Sequence, residues 1–195
     1  AGDEVLVPAY TCLPVPNAAR FGGLVPVHVD VELDTLGIDA SALEAAISPR
    51  SRAVVLHHLF GIVCRDYEAI LGVARARGLA VVEDCTHALG AEHRGARVGS
   101  RGDLAFYSTS RHKVIETVRG GMAVANDRAL AGRLRAVAAR WPVMGDAWAR
   151  RLLRCVRLDY ARHRERSTWR ADLGDLVDGP VDVPSTDEDE LGGRR

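Results

Sequence analysis

Residues 53–87 read AVVLHHLFGIVCRDYEAILGVARARGLAVVEDCTH. Two apolar, β-branched runs, residues 53–59 and 79–83, flank a helical pattern over residues 66–77. In that pattern Tyr67, Ile70, Leu71 and Ala74 fall on one helix face, and Gly78 supplies the C-terminal stop. The second run stays apolar up to Glu83, as a strand buried on both faces requires. Strand, helix and strand in this order make a βαβ unit, which predicts a parallel sheet.

The same rhythm extends outward. Residues 4–7 and 25–31 read as strands, with a helix around residues 17–21 between them. Ser41-Ala42-Leu43-Glu44 has the spacing of a capping box, followed by Leu43, Ala46 and Ile47 as an apolar stripe and Pro49 as a stop. Residues 104–108 and 122–125 read as two further strands. The predicted fold class is therefore α/β: a three-layer αβα domain with a mainly parallel sheet, covering residues 1–140. Beyond Asn126 the pattern turns helical, over residues 127–137 and 146–163, the second with Trp148, Leu152, Val156 and Tyr160 along one side. Eleven arginines lie between Arg133 and Arg170, and eight acids with no base between Ala171 and Gly193. Residues 141–170 are read as a basic helical extension with a solvated arginine face, and 171–195 as an acidic tail, disordered from about residue 182.

Composition narrows the function classes. A 47% hydrophobic content suffices for a core, and with aromatics at 5% that core must be mostly Val, Leu and Ala. The formal net charge is zero, which argues against nucleic acid or a membrane surface as the main partner. There is no signal-peptide pattern and no apolar run of membrane-spanning length, so a cytoplasmic location is expected. Cys12, Cys64, Cys85 and Cys155 form no CxxC pair; reduced thiols acting as small buried hydrophobes are expected, and no metal site.

Lys113 is the single lysine beside 25 arginines. A lysine amine can be deprotonated and joined to a carbonyl, which arginine cannot do; the plain alternative is one ordinary surface lysine. Upstream, strand 79–83 runs into Glu83-Asp84-Cys85-Thr86-His87, at the carboxyl end where α/β sheets place ligands. Asp84 could serve a metal, a ribose or a protonated ring nitrogen, or simply cap a turn. The strand ending at Ser108 leads into Thr109-Ser110-Arg111-His112-Lys113, which suits a phosphate contact beside a reactive amine and also suits a polar loop. Gly120-Gly121 could allow close backbone approach to a ligand or form a plain turn.

From Gly2 to about Ala136 the chain resembles the DegT/DnrJ/EryC1/StrS family of pyridoxal-phosphate-dependent sugar aminotransferases, on the aspartate aminotransferase fold. The resemblance is carried by Gly2-Asp3-Glu4-Val5, Pro8-Ala9-Tyr10-Thr11, Asn17-Ala18, His58-Leu59-Phe60-Gly61, Glu83-Asp84, Gly90-Ala91, Gly95, Val98-Gly99-Ser100, Gly102-Asp103 and the run from Gly121 to Asp127. It implies that residues 1–140 form a pyridoxal 5'-phosphate-binding large domain, incomplete at its N-terminus. It implies Lys113 as the Schiff-base lysine and proton carrier, and Asp84 as the partner of the pyridinium nitrogen. His87 would lie near the cofactor ring or its phenolic oxygen, and Ser108 would contact the phosphate. The substrates implied are a keto-sugar nucleotide and an amino donor, glutamate foremost, and the assembly implied is a homodimer. No chemical role follows for His58; with His57 it is read as structural.

Departures from the family pattern qualify these expectations. Cys12 stands where a ring-stacking aromatic is common. The Gly-Thr phosphate segment, the G-x-N-x-R-M stretch and the small C-terminal domain are not found, so the chain is expected to be a fragment. Two alternatives follow: a sugar dehydratase relative, in which a histidine such as His112 would replace the lysine, and a non-catalytic remnant that dimerises or regulates.

Overall fold

The computed structural model describes residues 2–110, 113–117, 119–143 and 145–166. His112 and the acidic tail lie outside the described residues, as do the side chains of residues 159–166, Tyr160 among them. The chain divides into two compact units after Ala138.

The first unit is built on a six-stranded sheet in the order β2-β1-β3-β4-β7-β8. Its strands are β1 (Glu4–Pro8), β2 (Val25–Val29), β3 (Ser51–His57), β4 (Ala80–Asp84), β7 (Leu104–Ser108) and β8 (Gly121–Ala125). All neighbours are parallel except β7 and β8, which are antiparallel. The helices are α1 (Pro14–Phe21), α2 (Ala40–Ala46), α3 (Tyr67–Arg77) and α4 (Arg128–Ala138). A short hairpin, β5 (Glu92–His93) with β6 (Ala96–Arg97), is absent from the sequence prediction because two-residue strands carry no alternation to read.

Side-chain alternation sorts the core into two layers. Leu6, Val54, Leu56 and Val81 face α2 and α3, and pack with Leu43, Tyr67, Ile70, Leu71 and Ala74. Val5, Val7 and Val55 face the opposite way, toward Val15 and Ala19 of α1. The α3 face expected from the sequence is the face that is buried. Gly78 ends α3 in the left-handed region at φ 66°, where a β-carbon is unfavourable.

Three local expectations need correction. The cap of α2 is Asp39, whose carboxylate accepts from the backbone N–H groups of Ser41 and Ala42, both at 2.9 Å; Ser41 and Glu44 make no capping box. An Asp two residues ahead reaches the first free N–H groups before Ser41 can. The third strand ends at His57, and His58 leaves the sheet into a 3-10 turn, Leu59–Gly61, with Phe60 at φ 57°. Of the cysteines, Cys64 and Cys85 are buried as expected, but Cys12 is exposed and Cys155 only half-buried.

The second unit contains α5 (Asp146–Arg166). Ala149, Leu152, Cys155 and Val156 are half-buried along one side, while Arg150, Arg151, Arg154 and Arg157 are exposed, the solvated arginine face expected from the sequence.

Candidate functional site

Because β1, β3, β4 and β7 are parallel, their carboxyl ends lie along one edge of the sheet. Chain segments leaving those ends carry, in spatial order, Thr11, His57, Asp84 and Ser108. His57 and Asp84 are register partners on β3 and β4, so both side chains emerge on the same face. His58 and Glu83, one residue out of phase, emerge on the other.

On the α3 side, Glu83 is fully buried and accepts from five donors. Its Oε2 takes the Tyr67 hydroxyl at 2.8 Å, the Gly99 N–H at 2.8 Å and His58 Nε2 at 3.3 Å. Its Oε1 takes the N–H groups of Arg101 at 3.0 Å and Gly102 at 2.6 Å. Burial alone would raise the Glu83 pKa, but donors from His58, Gly102, Tyr67 and Gly99 outweigh it and hold the carboxyl at about 2. His58, Glu83 and Cys85 bring ligand-type atoms within 4.8 Å of one another. Both Glu83 oxygens already accept hydrogen bonds, and burial pushes the Cys85 thiol up to about 12, so the group forms a hydrogen-bonded hub. His58, for which the sequence offered no role, is thereby explained.

The hub fixes the segment leading into β7. Asp103 then ties the start of β4, accepting from the Val81 N–H at 2.7 Å, and Asn126 donates through Nδ2 to the Gly102 carbonyl at 2.6 Å. Gly99 sits at φ 92°, and a β-carbon there would run into the Tyr107 hydroxyl and lie 3.1 Å from Cys85 Sγ. Gly99→Ala is expected to cost about 2–4 kcal/mol from backbone strain plus overpacking. Urea unfolding of the variant beside the parent chain measures it.

On the opposite face Asp84 is 2% exposed. Its Oδ1 accepts from the Thr86 N–H at 3.0 Å, and its Oδ2 lies 3.8 Å from His57 Nε2. The His87 pKa is lowered, first by burial and next by the Lys113 charge, with Asp84 opposing. Burial is likewise the main cause lowering the His57 pKa, where Asp84 opposes and Lys113 contributes. Lys113 therefore lies within electrostatic reach of both histidines. His87 Nδ1 accepts the Phe60 N–H at 3.2 Å, and the two rings stack with centroids 5.9 Å apart. A neutral His87 so held carries its proton on Nε2.

Ser108 Oγ lies 2.8 Å from Ser110 Oγ, a half-buried pair of hydroxyls at the end of β7. The loop beyond it is closed by Thr109 and Thr117, whose hydroxyls are 2.7 Å apart, and by the Thr109 N–H on the Gly120 carbonyl at 2.9 Å. Of the four residues singled out from the sequence, Asp84 ends β4, His87 follows it by three residues, Ser108 ends the adjacent β7, and Lys113 lies in the loop beyond, its charge reaching His87. Sequence reasoning missed Glu83 as a hub and His57 as a neighbour of Asp84.

This fold is shared with solved aminotransferase structures. The sugar aminotransferase CalS13 from Micromonospora echinospora superposes with a TM-score of 0.64 at 38% identity, over 68% of this chain and 37% of that one. DesI, crystallised with its TDP-sugar product, gives 0.65 at 38% identity, over 68% and 34%. The chain belongs to the DegT/DnrJ/EryC1/StrS aminotransferase family, whose model matches residues 1–147. It is 44% identical over 134 residues to the GDP-perosamine synthase of Caulobacter vibrioides, covering 69% of this chain and 36% of that protein. It is 42% identical over 133 residues to the L-glutamine:2-deoxy-scyllo-inosose aminotransferase of Streptoalloteichus tenebrarius, covering 68% and 31%. The chain spans about a third of the length of these relatives. Among the described residues no helix is long and apolar enough to cross a membrane.

Proposed function

We propose that this chain supplies the cofactor-holding part of a pyridoxal-phosphate-dependent sugar aminotransferase. The amino group would move from a donor, glutamate foremost, to a keto-sugar nucleotide, in a cytoplasmic homodimer. The observation that supports this reading is the placement of Asp84 and Ser108 at the carboxyl ends of the adjacent parallel strands β4 and β7, with His87 three residues beyond Asp84 and within reach of the Lys113 charge.

The residues fit pyridoxal 5'-phosphate. Asp84 offers a buried carboxylate with one oxygen bonded to Thr86 and the other free of a short donor. That suits a partner that brings its own N–H, such as a protonated ring nitrogen. His87 presents Nε2–H as a neutral donor, suited to a phenolic oxygen. Ser108, with Ser110 beside it, offers hydroxyls to a phosphate. Lys113 would offer the amine for covalent attachment and, as a free amine, a base able to hold or pass on a proton at Nζ. When bound there, the cofactor would supply an electron sink. Two relatives are named for a nucleotide sugar and for an inosose, so the acceptor on this reading is a ketone on a polyhydroxylated ring.

Borohydride reduction of the purified chain with pyridoxal phosphate, followed by peptide mass mapping, tests the reading. A reduced adduct on Lys113 is the expected result, with L-glutamate and L-glutamine then compared as donors. No adduct in a chain shown to be folded would overturn it.

A further inference from the structure

His57 and Thr11 are the two groups of the strand-end row that the proposed function leaves unused. The His57 side chain is 2% exposed, with Nε2 3.8 Å from Asp84 Oδ2 and Nδ1 3.4 Å from Thr11 Oγ1. It stands between a carboxylate and a hydroxyl, three neighbouring segments contributing one group each. The titratable groups whose charge reaches it are Asp84, His87 and Lys113 on its own side and His58, which points to the other face of the sheet.

The chemistry of the two ends fixes the tautomer. A neutral imidazole has one N–H and one lone pair. With the N–H on Nε2 it points a donor at Asp84, and Nδ1 receives the Thr11 hydroxyl proton. The opposite tautomer would turn a lone pair toward a buried carboxylate, which is repulsive. Burial lowers the His57 pKa and Asp84 opposes, so near neutral pH the ring donates without adding positive charge. At 3.8 Å the Nε2–Oδ2 contact is longer than a hydrogen bond and acts on the carboxylate electrostatically.

We propose that His57, backed by Thr11, is a positioning residue for Asp84: its Nε2–H holds Oδ2 and orients the carboxylate toward the ring nitrogen of the cofactor. The proposal rests on the pyridoxal-phosphate reading for its consequence, though not for its geometry. Asp84 accepts from the Thr86 N–H at one oxygen and faces His57 Nε2 at the other. A neutral donor there orients the carboxylate and leaves its negative charge for the pyridinium. Losing it frees Oδ2 to rotate, and the ring nitrogen then holds its proton less tightly.

Two measurements test this. In the cofactor-free chain, long-range proton–nitrogen correlation spectra should show His57 as the neutral Nε2–H tautomer at pH 7; an Nδ1–H tautomer overturns the proposal. In the chain loaded with ring-nitrogen-labelled pyridoxal phosphate, His57→Leu should lower the apparent pKa of the ring nitrogen by about one unit, a tenfold weaker hold on the proton. His57→Gln, which keeps a donor, should recover part of that shift. An unchanged nitrogen titration in a His57→Leu chain that still forms the Lys113 adduct makes His57 a packing residue and overturns the proposal alone. Failure of the parent chain to form the adduct overturns the functional reading, and the consequence drawn here with it. Should His57→Leu fail to fold, Thr11→Val reads the same relay from its other end, and a His57 tautomer unchanged in that variant overturns the backing role.

Discussion

Lys113→Ala is expected to abolish the borohydride-fixed adduct and to slow conversion of the bound cofactor by L-glutamate by about 10²–10⁴-fold, the range for a lost positioned acid–base group. Lys113→Arg should fail equally, because a guanidinium keeps the charge but has no free amine at working pH. That pair of variants separates nucleophile from cation. The substitution should leave folding intact, since Lys113 is half-exposed in the loop after β7. It should also leave an electrostatic trace. The Lys113 charge lowers the pKa of both His57 and His87, so its removal in Lys113→Ala should move both histidine titrations upward, while Lys113→Arg should not. Nuclear magnetic resonance titration of the histidines measures this without cofactor. An adduct that persists in Lys113→Ala, or a His87 titration that does not move, would mean that Lys113 does not face this site.

The fold was legible because its strongest signals are periodic and local. The β3-α3-β4 unit follows from two apolar runs, one helical stripe and Gly78. Asp84 was legible because it ends the second run, and Lys113 because arginine fills every other basic position. Legibility failed where structure depends on residues far apart in sequence. Glu83 is buried as a carboxylate only because donors from residues 58, 67, 99, 101 and 102 meet on it, and no window of sequence contains them together. His57 is a neighbour of Asp84 through strand register, which a single sequence does not display. The motif pieces also divide by role once placed. Asp84, His87, Ser108 and Lys113 stand at the carboxyl edge of the sheet. Glu4, bound to the Ser48 hydroxyl at 2.5 Å and to Arg50 at 2.6 Å, and Asp103, bound to Val81, brace the opposite end. Resemblance to a family therefore mixes scaffold with chemistry, and only the fold tells them apart.

Glu83→Ala is expected to cost about 3–5 kcal/mol, a large share of the stability of an ordinary domain. The substitution leaves the N–H groups of Gly99, Arg101 and Gly102, the Tyr67 hydroxyl and the His58 ring without their acceptor in a buried setting, and each buried unpaired group costs about 1–3 kcal/mol unless water enters. Glu83→Gln keeps the shape but turns one acceptor into a donor facing other donors, so it should lose nearly as much. Acid should do the same to the parent chain. The Glu83 pKa falls from 4.5 unfolded to about 2 folded, so the unfolded state takes up the proton first. The stabilisation is complete above pH 4.5 and drains away as pH falls toward 2. Urea unfolding between neutral pH and pH 2 should show this loss, on the order of 3 kcal/mol, and Glu83→Gln should remove that part of the pH dependence. A Glu83→Gln chain that keeps the parent's full acid sensitivity would place the titrating group elsewhere. Because the 99–102 segment leads directly into β7, loosening the hub should also carry Ser108 and Lys113 out of register with Asp84. Lys113 adduct formation should then decline at urea concentrations below global unfolding, so that one buried carboxylate behind the sheet sets how long the strand-end site stays assembled.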